Sequence, residues 1–181
     1  MSNNPRSRIS NKIVHKNPWF VVKDETYIKP DGSKGEYYVV DTQGDSVFVI
    51  ALTNNNEVYL IKQHRYPTNM YSWEIIGGRS DGEHPLRAAR RELREETGLV
   101  AGSWKKIGRF QVMNGICNEF GHVYVARKLR QTKFDKKEEE GIIRVVRVPF
   151  DKAIKMIKTG KISDGQSINA LMLASLKFSE I

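Results

Sequence analysis

Glu92, Glu95 and Glu96 stand at spacings of three and four, so a helix puts all three carboxylates on one face. Leu86, Ala89, Leu93 and Thr97 recur at helical steps along another face of the same stretch. Three like charges so close repel one another, and burying them without compensation is costly. Two kinds of compensation are open. Arg87, Arg90, Arg91 and Arg94 lie on the same stretch and suit a solvated helix face laced with ion pairs. A hard divalent cation is the other candidate, because Mg²⁺ prefers carboxylate oxygens, keeps several waters and bridges substrate phosphates. The helix itself is well marked, with Pro85 suited to its first turn and Gly98 to its end.

Residues 77–99, GGRSDGEHPLRAARRELREETGL, match the whole 23-residue signature of the Nudix hydrolases. The matching positions are Gly77, Glu83, Arg91, Glu92, Leu93, Glu95, Glu96, Gly98 and Leu99. The chain resembles that family, and the resemblance favours the metal over the solvated face. It implies an α/β/α sandwich and a pyrophosphohydrolase acting on a nucleoside diphosphate linked to another moiety. It further implies Mg²⁺, or Mn²⁺, held by Glu92, Glu95 and Glu96, with the carbonyl of Ile76 as an added ligand. Arg91 would orient these carboxylates from behind, and Glu83 would brace the loop. Bound metal would neutralise diphosphate oxygens and acidify a water. A further carboxylate should take the water's proton; relatives resembling this chain often draw it from an acidic loop before a late strand. Glu139 is the expected base, with Glu140 beside it, Glu138 in the same run and Glu119 as an alternative in another loop.

Beyond the signature, NPWFVVKDETYIKPDGSKGEYYVV, QHRYP, WEII and the C-terminal VPFDKAIKMIKTGKISDGQSINALMLA are similar to ADP-ribose pyrophosphatases. In those enzymes N-terminal strands pair across a homodimer and help build the substrate pocket. The resemblance therefore implies a homodimer and a nucleotide-sugar substrate, ADP-ribose or a related nucleoside diphosphate sugar. Its products would be a nucleoside monophosphate and a sugar phosphate. The same comparison makes Arg65 a diphosphate contact by position, its guanidinium fork matching phosphate oxygens. Phe20 and Tyr27 are candidates to stack on the base, Glu74 to touch the ribose or the dimer partner, and Asn114 to shape the pocket. QVMNGICNEFG has no proline where many ADP-ribose hydrolases carry one, which leaves other sugars open.

The elements that must position these residues are readable from periodicity and turn chemistry. WFVVKDETYI and EYYVV read as a β-hairpin joined by KPDGSKG, and SVFVIAL and EVYLIKQHRY as two strands joined by Asn54, Asn55 and Asn56. SWEII reads as a short strand and GGRSDGEH as a Gly-rich loop leading to the helix. KKIGRFQV, EFGHVYVARKL and IIRVVRVPF read as strands; DKAIKMIKTG and SINALMLASLKF as helices. Strands interleaved with helices in mixed order predict an α/β fold with a mixed sheet. A small antiparallel β-extension is expected over residues 1–45 and the Nudix domain over 46–181. The opening MSNNPRSRISNKIVH, polar and basic, is expected to be frayed.

Composition narrows the alternatives. Cys117 is the single cysteine, so an intramolecular disulfide and a cysteine-built zinc site are excluded. His15, His64, His84 and His122 show no metal-ligand spacing. No apolar run of about 18 residues is present, which predicts a soluble, cytoplasmic protein with no membrane partner. Thirty basic against 21 acidic residues leave a formal charge of +9, which suits nucleic acid or small phosphates equally. Removal of pyrophosphate from RNA 5′ ends, or a non-catalytic nucleotide- or RNA-binding domain, are the competing readings. Nucleic acid is the less expected partner: the basic run Ala126–Lys137 carries only Phe134 among aromatics, whereas strand-binding surfaces interleave several.

Overall fold

The computed structural model describes residues 7–134, 136–139 and 141–177. Two compact units are formed, one from residues 1–44 with 111–120 and one from 45–110 with 121–181. The first unit thus takes Gln111–Phe120, which a boundary at 45/46 leaves with the rest of the chain.

In the first unit, β1 (Ser7–Lys16), β2 (Val21–Ile28) and β3 (Lys34–Asp41) form an antiparallel sheet in that order. β1 falls largely inside the stretch expected to be frayed. Its side chains are all exposed, so hydropathy does not betray it; backbone pairing with β2 holds it. Asn17 closes the β1–β2 turn, its Oδ1 accepting from the N–H groups of Trp19 and Phe20, each at 2.9 Å. The segment 111–120 joins this sheet through a bridge between Val40 and Cys117 and a bond from the Tyr37 hydroxyl to the Gly115 carbonyl.

Asp41 is a polar anchor of the unit. Lys23 donates to its carboxylate, as do the Gln43 N–H at 3.0 Å and Asn118 Nδ2 at 3.1 Å. The Lys23 bond, followed by the Gln43 N–H, holds the Asp41 carboxyl below its ordinary 3.8. A depressed folded pKa contributes stability above the unfolded value and loses it as pH falls through the folded one. Asp41→Asn is therefore expected to cost about 1 kcal/mol at neutral pH. In urea unfolding followed against pH, the variant and the parent should converge in acid; a gap that persists there would contradict the assignment.

The second unit holds β4 (Ser46–Ala51), β5 (Glu57–Arg65), β6 (Met70–Glu74), β7 (Ile76–Arg79), α1 (Pro85–Thr97), most of β8 (Leu99–Gln111) and β9 (Phe120–Gln131), β10 (Ile142–Pro149), α2 (Phe150–Lys158) and α3 (Gly165–Leu176). One sheet has the order β7-β4-β9-β8, with β4 parallel to β9 and antiparallel to β7. The other, β10-β5-β6, is antiparallel.

Strand alternation creates two cores. Val47, Val49 and Ala51 of β4, Ile61 of β5 and Tyr124 and Ala126 of β9 pack with Ala88, Ala89 and Leu93 of α1. Ile50, Leu52, Val58, Leu60, Val123 and Val125, on the opposite faces, pack with Phe150 and Ala153 of α2 and Ala170, Leu171 and Ala174 of α3. Burial on both faces is why β4 reads as an unbroken apolar run. The result is an α/β sandwich with a mixed sheet, accompanied by an antiparallel N-terminal sheet. Among the described residues, no helix is long and apolar enough to cross a membrane.

Candidate active site

α1 begins where His84 Nδ1 accepts from the Leu86 N–H at 3.3 Å and ends at Gly98, whose φ of 71° is the left-handed conformation glycine adopts without strain. Its inner face is the core just described, and its neighbouring face carries the three glutamates. Glu92 and Glu96 are buried, Glu95 nearly so. Two contacts bind this face to β7. Glu96 Oε2 accepts from the Gly77 N–H at 2.9 Å. A Cβ on Gly78 would lie 2.4 Å from Glu92 Oε1, so glycine lets the strand backbone approach the carboxylate. β7 itself occupies Ile76–Arg79, so its last three residues fall in the stretch expected to be a loop. Ile76 opens that strand beside Gly77.

Arg91 organises the carboxylates. Its Nη1 lies 2.7 Å from Glu92 Oε1 and 3.1 Å from Glu95 Oε2, its Nε 3.0 Å from Glu83 Oε1, and its Nη2 donates to the Arg79 carbonyl at 2.8 Å. Burial alone would lower the guanidinium pKa; the charge of Glu92 and the bonds to Glu95, Glu83 and Glu92 outweigh it and hold the pKa well above the ordinary value. Glu83 also pairs with Arg87, tying the loop before α1 to the helix.

Gly78→Ala should displace Glu92 from Arg91 more than it perturbs the core, because the clashing atoms belong to a side-chain end. A loss of about tenfold in turnover is expected, as for small misplacements of catalytic groups. Turnover and melting temperature measured together would show it; a large melting loss with unchanged turnover would contradict it.

Arg65 and Glu74 come together across β5 and β6. Arg65 Nε donates to Glu74 Oε1 at 2.9 Å and its Nη2 to Oε2, a two-point fork, and Gln63 Nε2 donates to Oε2 at 3.0 Å. Glu74 is buried in these contacts. The Glu74 bonds, with the charges of Glu74, Asp164 and Glu96, raise the Arg65 pKa against the opposing effect of burial. Asp164 caps α3 by accepting from the Ser167 N–H at 2.8 Å, and Ser167 Oγ accepts from the Ile75 N–H at 3.1 Å, fixing the strand next to Glu74.

Glu139 is exposed, 3.7 Å from Lys136 Nζ, which lies 3.9 Å from Glu95 Oε1. Lys136, which sequence reasoning passed over as one charge in a basic run, is thus the link between the loop and α1. Glu140 lies outside the described residues. Glu119 belongs to the first unit. There, Tyr27 and Asn114 line one cavity of about 540 Å³ with Arg8, Glu25, Tyr37 and Asn118. Phe20 is not part of its lining; its ring is tilted against His15 with centroids 5.7 Å apart.

The donor chemistry of α1, three carboxylates with two of them buried, fits a hard divalent cation. As they stand, Glu92 and Glu95 close on Arg91. Among the described residues, no three Asp, Glu, His or Cys side chains form a ready ligand cage.

The NUDIX domain family matches residues 42–171, the greater part of the second unit. The chain belongs to the Nudix family. Within it, the chain is 31% identical over 151 residues to the ADP-ribose pyrophosphatase of Bacillus subtilis (strain 168), covering 82% of this chain and 80% of that protein. It is 30% identical over 180 residues to the GDP-mannose pyrophosphatase of Yersinia enterocolitica, with 93% and 94% covered. A solved structure described as an ADP compounds hydrolase superposes with a TM-score of 0.87 at 20% identity, covering 99% of this chain and 97% of that one, and shares the fold. These likenesses make this Nudix protein a hydrolase, and its family box is the segment that Gly77, Gly78 and α1 fold together.

Proposed function

We propose that this Nudix hydrolase is a divalent-cation-dependent pyrophosphatase of ADP-ribose or a related nucleoside diphosphate sugar, releasing a nucleoside monophosphate and a sugar phosphate. The observation that carries the reading is the carboxylate face of α1, on which Arg91 gathers Glu83, Glu92 and Glu95 while Glu96 accepts from the Gly77 N–H of β7. The relatives named for ADP-ribose and GDP-mannose support the substrate class.

Glu92, Glu95 and Glu96, with the Ile76 carbonyl, would hold Mg²⁺ or Mn²⁺. Bound there, the cation supplies charge neutralisation at the diphosphate and a more acidic water. Arg91 keeps the carboxylates directed toward one place. Arg65 takes a diphosphate oxygen through the N–H donors that Glu74 leaves open, and Glu74 orients Arg65 while keeping acceptor capacity for the ribose or the dimer partner. Glu139 accepts the proton of the attacking water as the bond from phosphorus to the bridging oxygen breaks. Within the first unit, Tyr27 and Asn114 share a cavity that offers a ring and an amide to a nucleobase. The exposed apolar side chains Ile9, Ile13, Trp19 and Tyr38 of the N-terminal unit suit a homodimer built through that sheet.

A hydrolysis panel tests this: ADP-ribose, GDP-mannose, dinucleoside polyphosphates, NADH and triphosphorylated RNA, each with Mg²⁺ and with EDTA. Cation-dependent cleavage of a nucleotide sugar is expected. Cleavage of RNA in preference would replace the substrate assignment, and no cation-dependent turnover at all would refute the reading. Light scattering should give twice the chain mass of 20.8 kDa.

A further inference from the structure

The last carbonyls of a helix have no partner within it and must find one elsewhere. At the end of α1 those partners come from one stretch of chain. Gly98 O accepts from both the N–H and the Oγ1 of Thr132, each at 2.8 Å. Thr97 O accepts from Gln131 Nε2 at 3.3 Å, and Glu95 O from the Lys136 N–H at 2.7 Å. Side chains repeat the connection: the Arg94 guanidinium lies 4.6 Å from the Phe134 ring centroid, a cation–π geometry. Lys136 Nζ then stands between Glu95 on the helix and Glu139 on the loop.

We propose that Phe134 and Lys136 are positioning residues that strap the loop glutamate to the carboxylate helix and so set the separation of Glu139 from Glu92, Glu95 and Glu96. The inference rests on the reading of Glu139 as the base. Each contact is weak alone, since the loop is largely exposed, but they act in series on one short stretch, and the strap ends within three residues of Glu139. Phe134 is 42% exposed, so its removal opens no core cavity. What it loosens is the loop. An ångström of misplacement at a reacting group costs up to about a hundredfold.

The experiment uses the full chain with Mg²⁺ and ADP-ribose as probe, and compares Phe134→Ala, Phe134→Trp, Lys136→Gln, Glu139→Gln and the Phe134→Ala/Glu139→Gln pair. Phe134→Ala and Lys136→Gln should each lower kcat about tenfold at unchanged KM, with faster amide exchange over residues 132–134 and 136–139 and an unchanged melting temperature. Phe134→Trp should restore kcat, because the cation–π contact survives. In the double variant the Phe134 change should add nothing, because its effect runs through Glu139. Additive losses, with Glu139→Gln impaired alone, would overturn the strap while leaving the base assignment in place. Wild-type kcat in Glu139→Gln would overturn the base assignment, and the inference with it.

Discussion

Glu96→Gln is expected to lower kcat by roughly a thousandfold while leaving the fold intact, the magnitude seen when a preorganised electrostatic group is removed from an active site. The substitution is nearly isosteric, and the amide oxygen still accepts from the Gly77 N–H that Glu96 Oε2 now accepts at 2.9 Å. The α1–β7 contact therefore survives. What is lost is a negative charge at the most buried of the three carboxylates, 4% exposed, where little water screens it. Turnover of ADP-ribose with Mg²⁺, Mn²⁺ binding followed by electron spin resonance, and thermal melting form the test. A large fall in turnover and in Mn²⁺ affinity with unchanged melting is the expected pattern. Turnover within a few-fold of the parent would refute the ligand role of Glu96.

Arg91→Gln is expected to destabilise the protein by about 2–3 kcal/mol in EDTA, somewhat below the range for breaking a fully buried charge pair. The reduction follows from the Arg91 side chain, which remains 27% exposed. Its guanidinium serves Glu83, Glu92, Glu95 and the Arg79 carbonyl together, so its removal leaves several carboxylates facing each other without their shared cation. Mg²⁺ should then restore part of the loss, since an ion bound by the folded state alone adds to its stability. Urea unfolding in EDTA and in millimolar Mg²⁺ measures both effects. The restoration should be larger in the variant than in the parent. Equal Mg²⁺ dependence in the two proteins would show that Arg91 does not serve as the standing counter-ion of this face.

α1 was legible because everything that defines it is local. Pro85, the apolar steps from Leu86 to Thr97 and the stop at Gly98 each act within one turn of the next, and the acidic spacing follows from the helical repeat. β4 and the middle of β9 were legible through β-branched runs buried on both faces, whereas β7, rich in glycine, read mostly as a loop. β1 was not, because an exposed polar strand carries no hydropathy pattern; only pairing with β2 reveals it. The extension of the first unit by Gln111–Phe120 was equally hidden, since it depends on contacts with residues far away in the chain, such as Tyr37 to Gly115, 78 positions apart.

For the site, sequence by itself determined which side chains are chemically competent: the three carboxylates, Arg91, and an arginine at the end of β5. Tertiary structure decided what each of them faces. Strand parity places Ile61, Gln63 and Arg65 on one side of β5, yet only packing shows that this side is the one turned to α1, through Ile61 in the same core as Leu93. The antiparallel register then sets Glu74 opposite Ile61, within reach of Gln63 and Arg65, whose side chains both donate to its carboxylate. The link from Lys136 to Glu95 and Glu139 is of the same kind. Glu139 is a local partner three residues on, but nothing near Lys136 in the chain points to Glu95, which it reaches only because a distant loop folds onto the end of α1.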